Sequence, residues 1–166
     1  MNECAGCGRY ILEPEGPPDA DILIVGDAPN QYDLHEGRLW TGDFGDLLRS
    51  ELRKQGIVYK NCRVTNMWRH PKNSNCDFEK YHINSLLSEM EHRPALLLLG
   101  AETVTYFTGY GVSEVSGLRV DTLPQRKYLV PKSAGMVFAL FNPAIVLHEK
   151  LGEIRHGLTK FAEAIR

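Results

Sequence analysis

A three-layer α/β/α fold around a mainly parallel central sheet of about four strands is what this sequence predicts, and three observations predict it. Short apolar runs alternate with longer stretches of helical spacing along nearly the whole chain. Within the runs at 21–25 and 94–100, residues 22–25 and 95–99 are continuously apolar rather than alternating, as expected of strands covered on both faces. Both lead into a glycine, Gly26 and Gly100, where a strand gives way to a loop or helix.

The elements follow in order. Ile22, Leu23, Ile24 and Val25 make the first strand. Phe44, Leu47, Leu48 and Leu52 place one apolar face on a helix over 44–55. A second strand covers 62–66, and a helix over 78–92 carries Ile83, Leu86, Leu87 and Met90 on one face. The strand at 94–100 runs into a helix over 101–107. Further strands are expected at 127–130 and 136–141, and a last helix at 151–165. No repeat or linker divides the chain, so 1–166 is expected to form one domain, with 1–18 as an amino-terminal segment.

The 166 residues suffice for a proper core, and 43% hydrophobic residues are enough to fill it. No apolar run reaches the roughly 18–20 residues of a membrane span, and the start has no basic-then-apolar leader. A cytoplasmic, monomeric protein without membrane contact is expected. A net charge of −2 supplies no global field for nucleic acid, so any such binding must use a local patch. Basic residues do gather at Arg49, Arg53 and Lys54, again at Lys60, Arg63, Arg69 and Lys72, and again at Arg126, Lys127 and Lys132, each of which also reads as solvated surface.

Cys4-Ala5-Gly6-Cys7 is a C-x-x-C pair. In the cytoplasm it points to metal or redox chemistry rather than a structural disulfide. A redox pair should follow a strand and open a helix, whereas this one precedes Pro14, Pro17 and Pro18, which favours metal. Two further ligands are then required. Cys62 lies within a strand and reads as a small buried hydrophobe.

In parallel sheets ligands gather at the carboxyl ends of strands. That selects three loops: Gly26-Asp27-Ala28-Pro29, continuing through Asp33 to Gly37-Arg38-Leu39-Trp40-Thr41-Gly42; Thr65-Asn66; and Asn142-Pro143-Ala144. No G-x-G-x-x-G or Walker sequence follows the first strand, which argues against a nucleotide-binding fold of flavodoxin type. With the leucine pair Leu47-Leu48 and the strand from Pro94 to Gly100, these segments in this order resemble the uracil-DNA glycosylase superfamily. The similarity is greatest to its iron–sulfur-containing, family 4-like branch.

The resemblance implies DNA containing uracil, or a modified pyrimidine, as partner. It places Trp40 where the family stacks the extruded base, Asn66 where the family reads the base edge, and Ala28 beside them. Asp27 stands at the family's acidic position, with Asp33 in its acidic cluster. Pro143 and Ala144 belong to the loop that wedges into the duplex. The residue types suit these roles, since an aromatic face stacks a base, an amide donates and accepts at once, and a carboxylate orients water. Each also has a plainer reading, namely Trp40 as core, Asn66 as a turn residue, and Asp27 as a helix cap.

Two departures stand out. Asn142 occupies the position of the family histidine that stabilises the leaving base, which weakens or redirects the implied catalysis. The four cysteines that hold the family's four-iron four-sulfur cluster are matched only by Cys4 and Cys7, while His70 and His82 stand near the other two positions. The implied structural centre is therefore zinc on Cys4, Cys7, His70 and His82, the alternative being a four-iron four-sulfur cluster that recruits Cys76. A weakened binder of uracil-containing or single-stranded DNA is the alternative function.

Overall fold

The computed structural model describes residues 2–143 and 150–166. Ala144, expected in the wedge loop, lies outside them.

Four strands form one parallel sheet: β1 (Ile22–Gly26), β2 (Arg63–Asn66), β3 (Ala95–Leu99) and β4 (Met136–Leu140), in the order β2-β1-β3-β4. The helices are α1 (Gln31–Glu36), α2 (Asp43–Lys54), α3 (Phe78–Tyr81), α4 (Ile83–Met90), α5 (Ala101–Thr108), α6 (Val112–Val115) and α7 (Leu151–Ile165). Successive strand residues point to opposite faces, so the continuous apolar runs feed two cores. Leu23, Val25, Leu96 and Leu98 pack with Leu86 and Met90 of α4 and Val104 and Phe107 of α5. Ile24, Val64, Leu97 and Leu99 pack with Leu48 and Leu52 of α2 and Leu158 and Phe161 of α7. The predicted three-layer α/β architecture is the one formed. Each fully buried leucine or phenylalanine contributes about 1.5–3 kcal/mol, so the two cores hold the sheet rigid beneath its loops.

Three expectations are corrected. The segment 127–130 is not a strand. It is bounded by Pro124 and Pro131, and the outer edge of β4 is already met by bridges from Ser116 and Arg119, leaving no ladder for it to join. The helix expected over 78–92 ends at Met90 and is broken at His82, whose φ of −124° departs from helical geometry. The stretch expected as loop between Gly26 and Gly42 contains α1, closed by a capping box in which Asn30 and Asp33 exchange side-chain and backbone hydrogen bonds. No helix among the described residues is long and apolar enough to cross a membrane.

β1 lies centrally, with β2 on one side and β3 then β4 on the other. The connections therefore reverse direction at β1, and the carboxyl ends of β1 and its neighbours form the crevice where ligands of such sheets bind.

Candidate functional site

At that edge Gly26 pairs with Asn66 across β1 and β2. A Cβ at Gly26 would collide with Asn66 Oδ1 and stand 2.8 Å from Trp40 Cζ2, so only glycine lets the amide and the indole close together over the strand end. Both side chains are buried. Trp40 Nε1 is buried and has no hydrogen-bond partner among the described residues, which leaves an unsatisfied donor beside this strand end.

The loop that presents Trp40 is held from several sides. Trp40 itself adopts a left-handed backbone with φ of 53°, an unfavourable state for a bulky residue unless its surroundings impose it. Arg49 Nη1 donates to the Trp40 carbonyl at 2.8 Å. Gly45 of α2 presses on that same carbonyl, where any Cβ would clash. The Leu39 N–H donates to Glu15 Oε1 at 2.7 Å. Asp33 is buried, and its Oδ1 accepts from the Thr41 N–H at 2.9 Å and from the Thr41 hydroxyl at 2.6 Å. Its Oδ2 accepts from the Asn30 N–H at 3.2 Å. With both oxygens engaged, Asp33 serves as the clamp of this loop.

Asp27 follows Gly26 and leans toward α5. Its Oδ1 accepts from the Thr103 N–H at 2.9 Å and from the Thr103 hydroxyl at 2.6 Å, so the carboxylate caps α5 across the strand crevice. Burial pushes its carboxyl above the usual aspartate range; the Thr103 bonds oppose this and the charge of nearby Glu102 adds to it. Ala28 is half-buried beside it. Asn142 is half-buried just past the end of β4, at the same edge of the sheet, and Pro143 after it is buried. Thr103 belongs to no motif of the sequence, and only the fold brings it to this carboxylate.

A second cluster lies behind the first. Cys4, His70, Cys76 and His82 are all buried, and their donor atoms lie within 4.8 Å of one another. Cys4 Sγ is 3.5 Å from Cys76 Sγ and 3.5 Å from His82 Nε2, while Cys76 Sγ is 3.4 Å from His82 Nε2. Cys7, the half-buried second cysteine of the pair, places Sγ 3.5 Å from His70 Nε2. The break at His82 is what turns its imidazole into this group. His70 Nδ1 lies 2.8 Å from the Pro71 carbonyl, which selects the tautomer whose Nε2 can ligate. Trp68 packs against both rings, with centroids 5.8 Å and 5.4 Å away.

The donor set fits a metal. Around one tetrahedral zinc, with Zn–S near about 2.3 Å and Zn–N about 2.0–2.1 Å, donors stand about 3.5–3.8 Å apart. The Cys4, Cys76 and His82 donors, 3.4–3.5 Å apart, match that spacing, and the whole group including His70 stays within 4.8 Å; a cube of iron and sulfide would hold its ligands farther apart. Burial pushes the Cys4 thiol up, but hydrogen bonds from the Gly6 and Cys7 backbone, with Cys76 and His70 alongside, bring it down to about 7. Cys76 is pushed up to about 12, by burial first and then by the neighbouring Cys4 and Cys7 sulfurs. Burial, then His70 and Arg69, lowers His82 to about 4, keeping it in the neutral form that binds metals. Cys62 stands apart, buried in the other core, its thiol raised to about 11 by burial.

Comparison with known proteins points to one family. The family model described as "Uracil DNA glycosylase superfamily" matches residues 13–166. A type-4 uracil-DNA glycosylase of Thermotoga maritima is 25% identical over 169 residues, covering 93% of this chain and 83% of that protein.

Proposed function

Because the chain belongs to the uracil DNA glycosylase superfamily, we propose that it hydrolyses the N-glycosidic bond of uracil, or of a related modified pyrimidine, in DNA. The observation that carries the reading is the convergence of the Trp40 ring and the Asn66 amide over Gly26. A base leaving the stack needs a π-face and an edge that both donates and accepts; these two side chains supply them side by side.

In this reading Trp40 stacks the base and Asn66 faces its O4 and N3–H, with Ala28 in the pocket floor. Asp27, as carboxylate, orients a water and stabilises positive charge on the sugar as the bond breaks. The water oxygen bonds to the sugar carbon, its proton passes to Asp27, and the bonding electrons leave with the base. Asn142 donates a hydrogen bond to the developing anion on the base. Pro143 and Ala144 support the wedge into the duplex. Asp33 keeps the Trp40 loop in place, since its oxygens are already taken.

The metal in this proposal is a single zinc on Cys4, His70, Cys76 and His82, with Cys7 adjoining. It supplies no reaction step and ties the amino-terminal segment to the body of the fold.

The second reading is a binder of uracil-containing or single-stranded DNA with little catalysis, favoured by Asn142 at the leaving-group position. An incision assay on uracil-containing oligonucleotides, run beside a gel shift, separates the two: incision supports the enzyme, retention without incision supports the binder. Replacing Asn142 with histidine is expected to raise the single-turnover rate by about 10- to 100-fold, because an imidazole is the stronger donor to the leaving base. An unchanged or lower rate would show a pocket built around the asparagine.

A further inference from the structure

A separate cavity of about 790 Å3 opens on the α2 side of the sheet's β2 edge, toward the amino-terminal end of β2. Arg38, Arg49, Arg53 and Lys60 line it, and among the described residues the only carboxylate in its wall is Glu15, one of whose oxygens is committed to the Leu39 N–H. This concentration is unusual in a chain of net charge −2. Arg63, Arg69, Arg93, Arg119, Arg126 and Arg155 each sit on a carboxylate. Arg49 lies 3.9 Å from the exposed Asp46 carboxylate, whereas Arg38, Arg53 and Lys60 have no carboxylate within ion-pair distance among the described residues.

The wall also contains a polar group without an internal partner. The Tyr59 hydroxyl is buried and makes no hydrogen bond among the described residues. Its ring lies under the Arg49 guanidinium, 4.4 Å from the centroid, which fixes both side chains in the cavity wall. Unpaired cations and an unsatisfied hydroxyl lining one concave space suit an anion rich in acceptor oxygens. The size is that of a nucleotide-scale ligand.

We infer that this cavity is a phosphate-binding groove that receives the sugar-phosphate backbone of a nucleic-acid strand, away from the base pocket. Arg49 reaches from the groove to the Trp40 carbonyl, and Arg38 and Arg49, here with Glu36 and Asp46, also line a neighbouring depression of about 580 Å3 bounded by Thr41 and Gly42. The groove thus leads to the loop that presents Trp40. Binding of this kind needs no excision chemistry, because phosphates are recognised whether or not the strand carries uracil.

The full chain is to be titrated with a uracil-free, dye-labelled single-stranded oligonucleotide, followed by anisotropy across a salt series. Thymidine 5′-monophosphate, titrated by calorimetry, forms the second arm. A variant carrying Arg38→Gln, Arg53→Gln and Lys60→Gln changes exposed side chains only. It is expected to lose about tenfold or more in strand affinity. The slope of log affinity against log salt should shrink by about 2, as three neutralised single-strand contacts require. Tyr59→Phe should weaken the same binding with its salt slope kept. Loss confined to the strand identifies backbone phosphates. Parallel loss of mononucleotide binding identifies a terminal nucleotide phosphate as the source. Wild-type protein that binds neither ligand, or a triple variant that binds both unchanged, would overturn the groove.

Discussion

If the proposed zinc sits on Cys4, His70, Cys76 and His82, Cys76→Ser is expected to abolish its binding and to loosen the amino-terminal segment from the body of the fold. Around Cys4 that segment is held by a short hairpin, with Glu3 bridged to Tyr10, and by the Leu12 N–H bonded to the Arg69 carbonyl at 2.7 Å. Backbone ordering costs roughly 1–2 kcal/mol per residue, and Ile11 and Leu12 are its main buried apolar contributions beside the cysteines. Structural zinc sites in small peptides contribute about 10–16 kcal/mol. Losing even about 4 kcal/mol of that would lower the Tm of a chain this size by about 8–16 °C. Cys7→Ser, at the rim of the cluster, should retain the ion and most of the stability. Elemental analysis with thermal melts checks both variants. Iron with matching sulfide, or a metal lost in Cys7→Ser but kept in Cys76→Ser, would contradict the assignment.

Asp27→Asn should lower the single-turnover excision rate by about 100- to 1000-fold, the range for removing one charge-stabilising group from a preorganised site. Stability should change by no more than about 1 kcal/mol, because an asparagine oxygen can still accept from the Thr103 N–H and hydroxyl. This separates the catalytic role from the helix-capping role that the same carboxylate fills. The pH profile gives a second signature. Burial raises the Asp27 carboxyl, so the active carboxylate form is lost as pH falls through a value above the ordinary aspartate figure of about 3.9. The acid limb of the rate should therefore lie above that figure in the wild type and disappear in Asp27→Asn. An Asp27→Asn protein that excises at the wild-type rate would leave Asp27 a cap alone.

Much of the sheet is legible in the sequence because its strands are buried on both faces, which writes β1 and β3 as unbroken apolar runs. The false strand at 127–130 shows the limit: Tyr128 and Val130 have strand-like side chains, but pairing depends on a free sheet edge that local sequence does not reveal. The break at His82 is hidden for a related reason. Phe78, His82 and Leu86 keep helical spacing, so periodicity runs through a position whose geometry is set by the cysteine and histidine cluster. Cys76 is visible as a residue, yet its 3.5 Å approach to Cys4 closes a separation of 72 positions along the chain. Thr103 meets Asp27 across 76 positions, again a product of topology rather than of any local signal. Trp40, Asn66 and Asp27 can be nominated because Asn66 ends a strand, Asp27 directly follows one, and Trp40 lies in a loop at the sheet's carboxyl edge. The left-handed turn at Trp40 and the part played by Gly26 become apparent only in three dimensions.

The most direct measurement is the release of free uracil from a single-stranded oligonucleotide bearing one deoxyuridine, under single-turnover conditions, by the wild type and by Asn66→Ala. The wild type is expected to release uracil, and Asn66→Ala to release it about 5- to 160-fold more slowly, corresponding to the roughly 1–3 kcal/mol that one base-edge contact contributes. The variant should retain its metal and fold. No uracil released by the wild type, or equal release by a folded Asn66→Ala protein, would contradict the proposed base pocket.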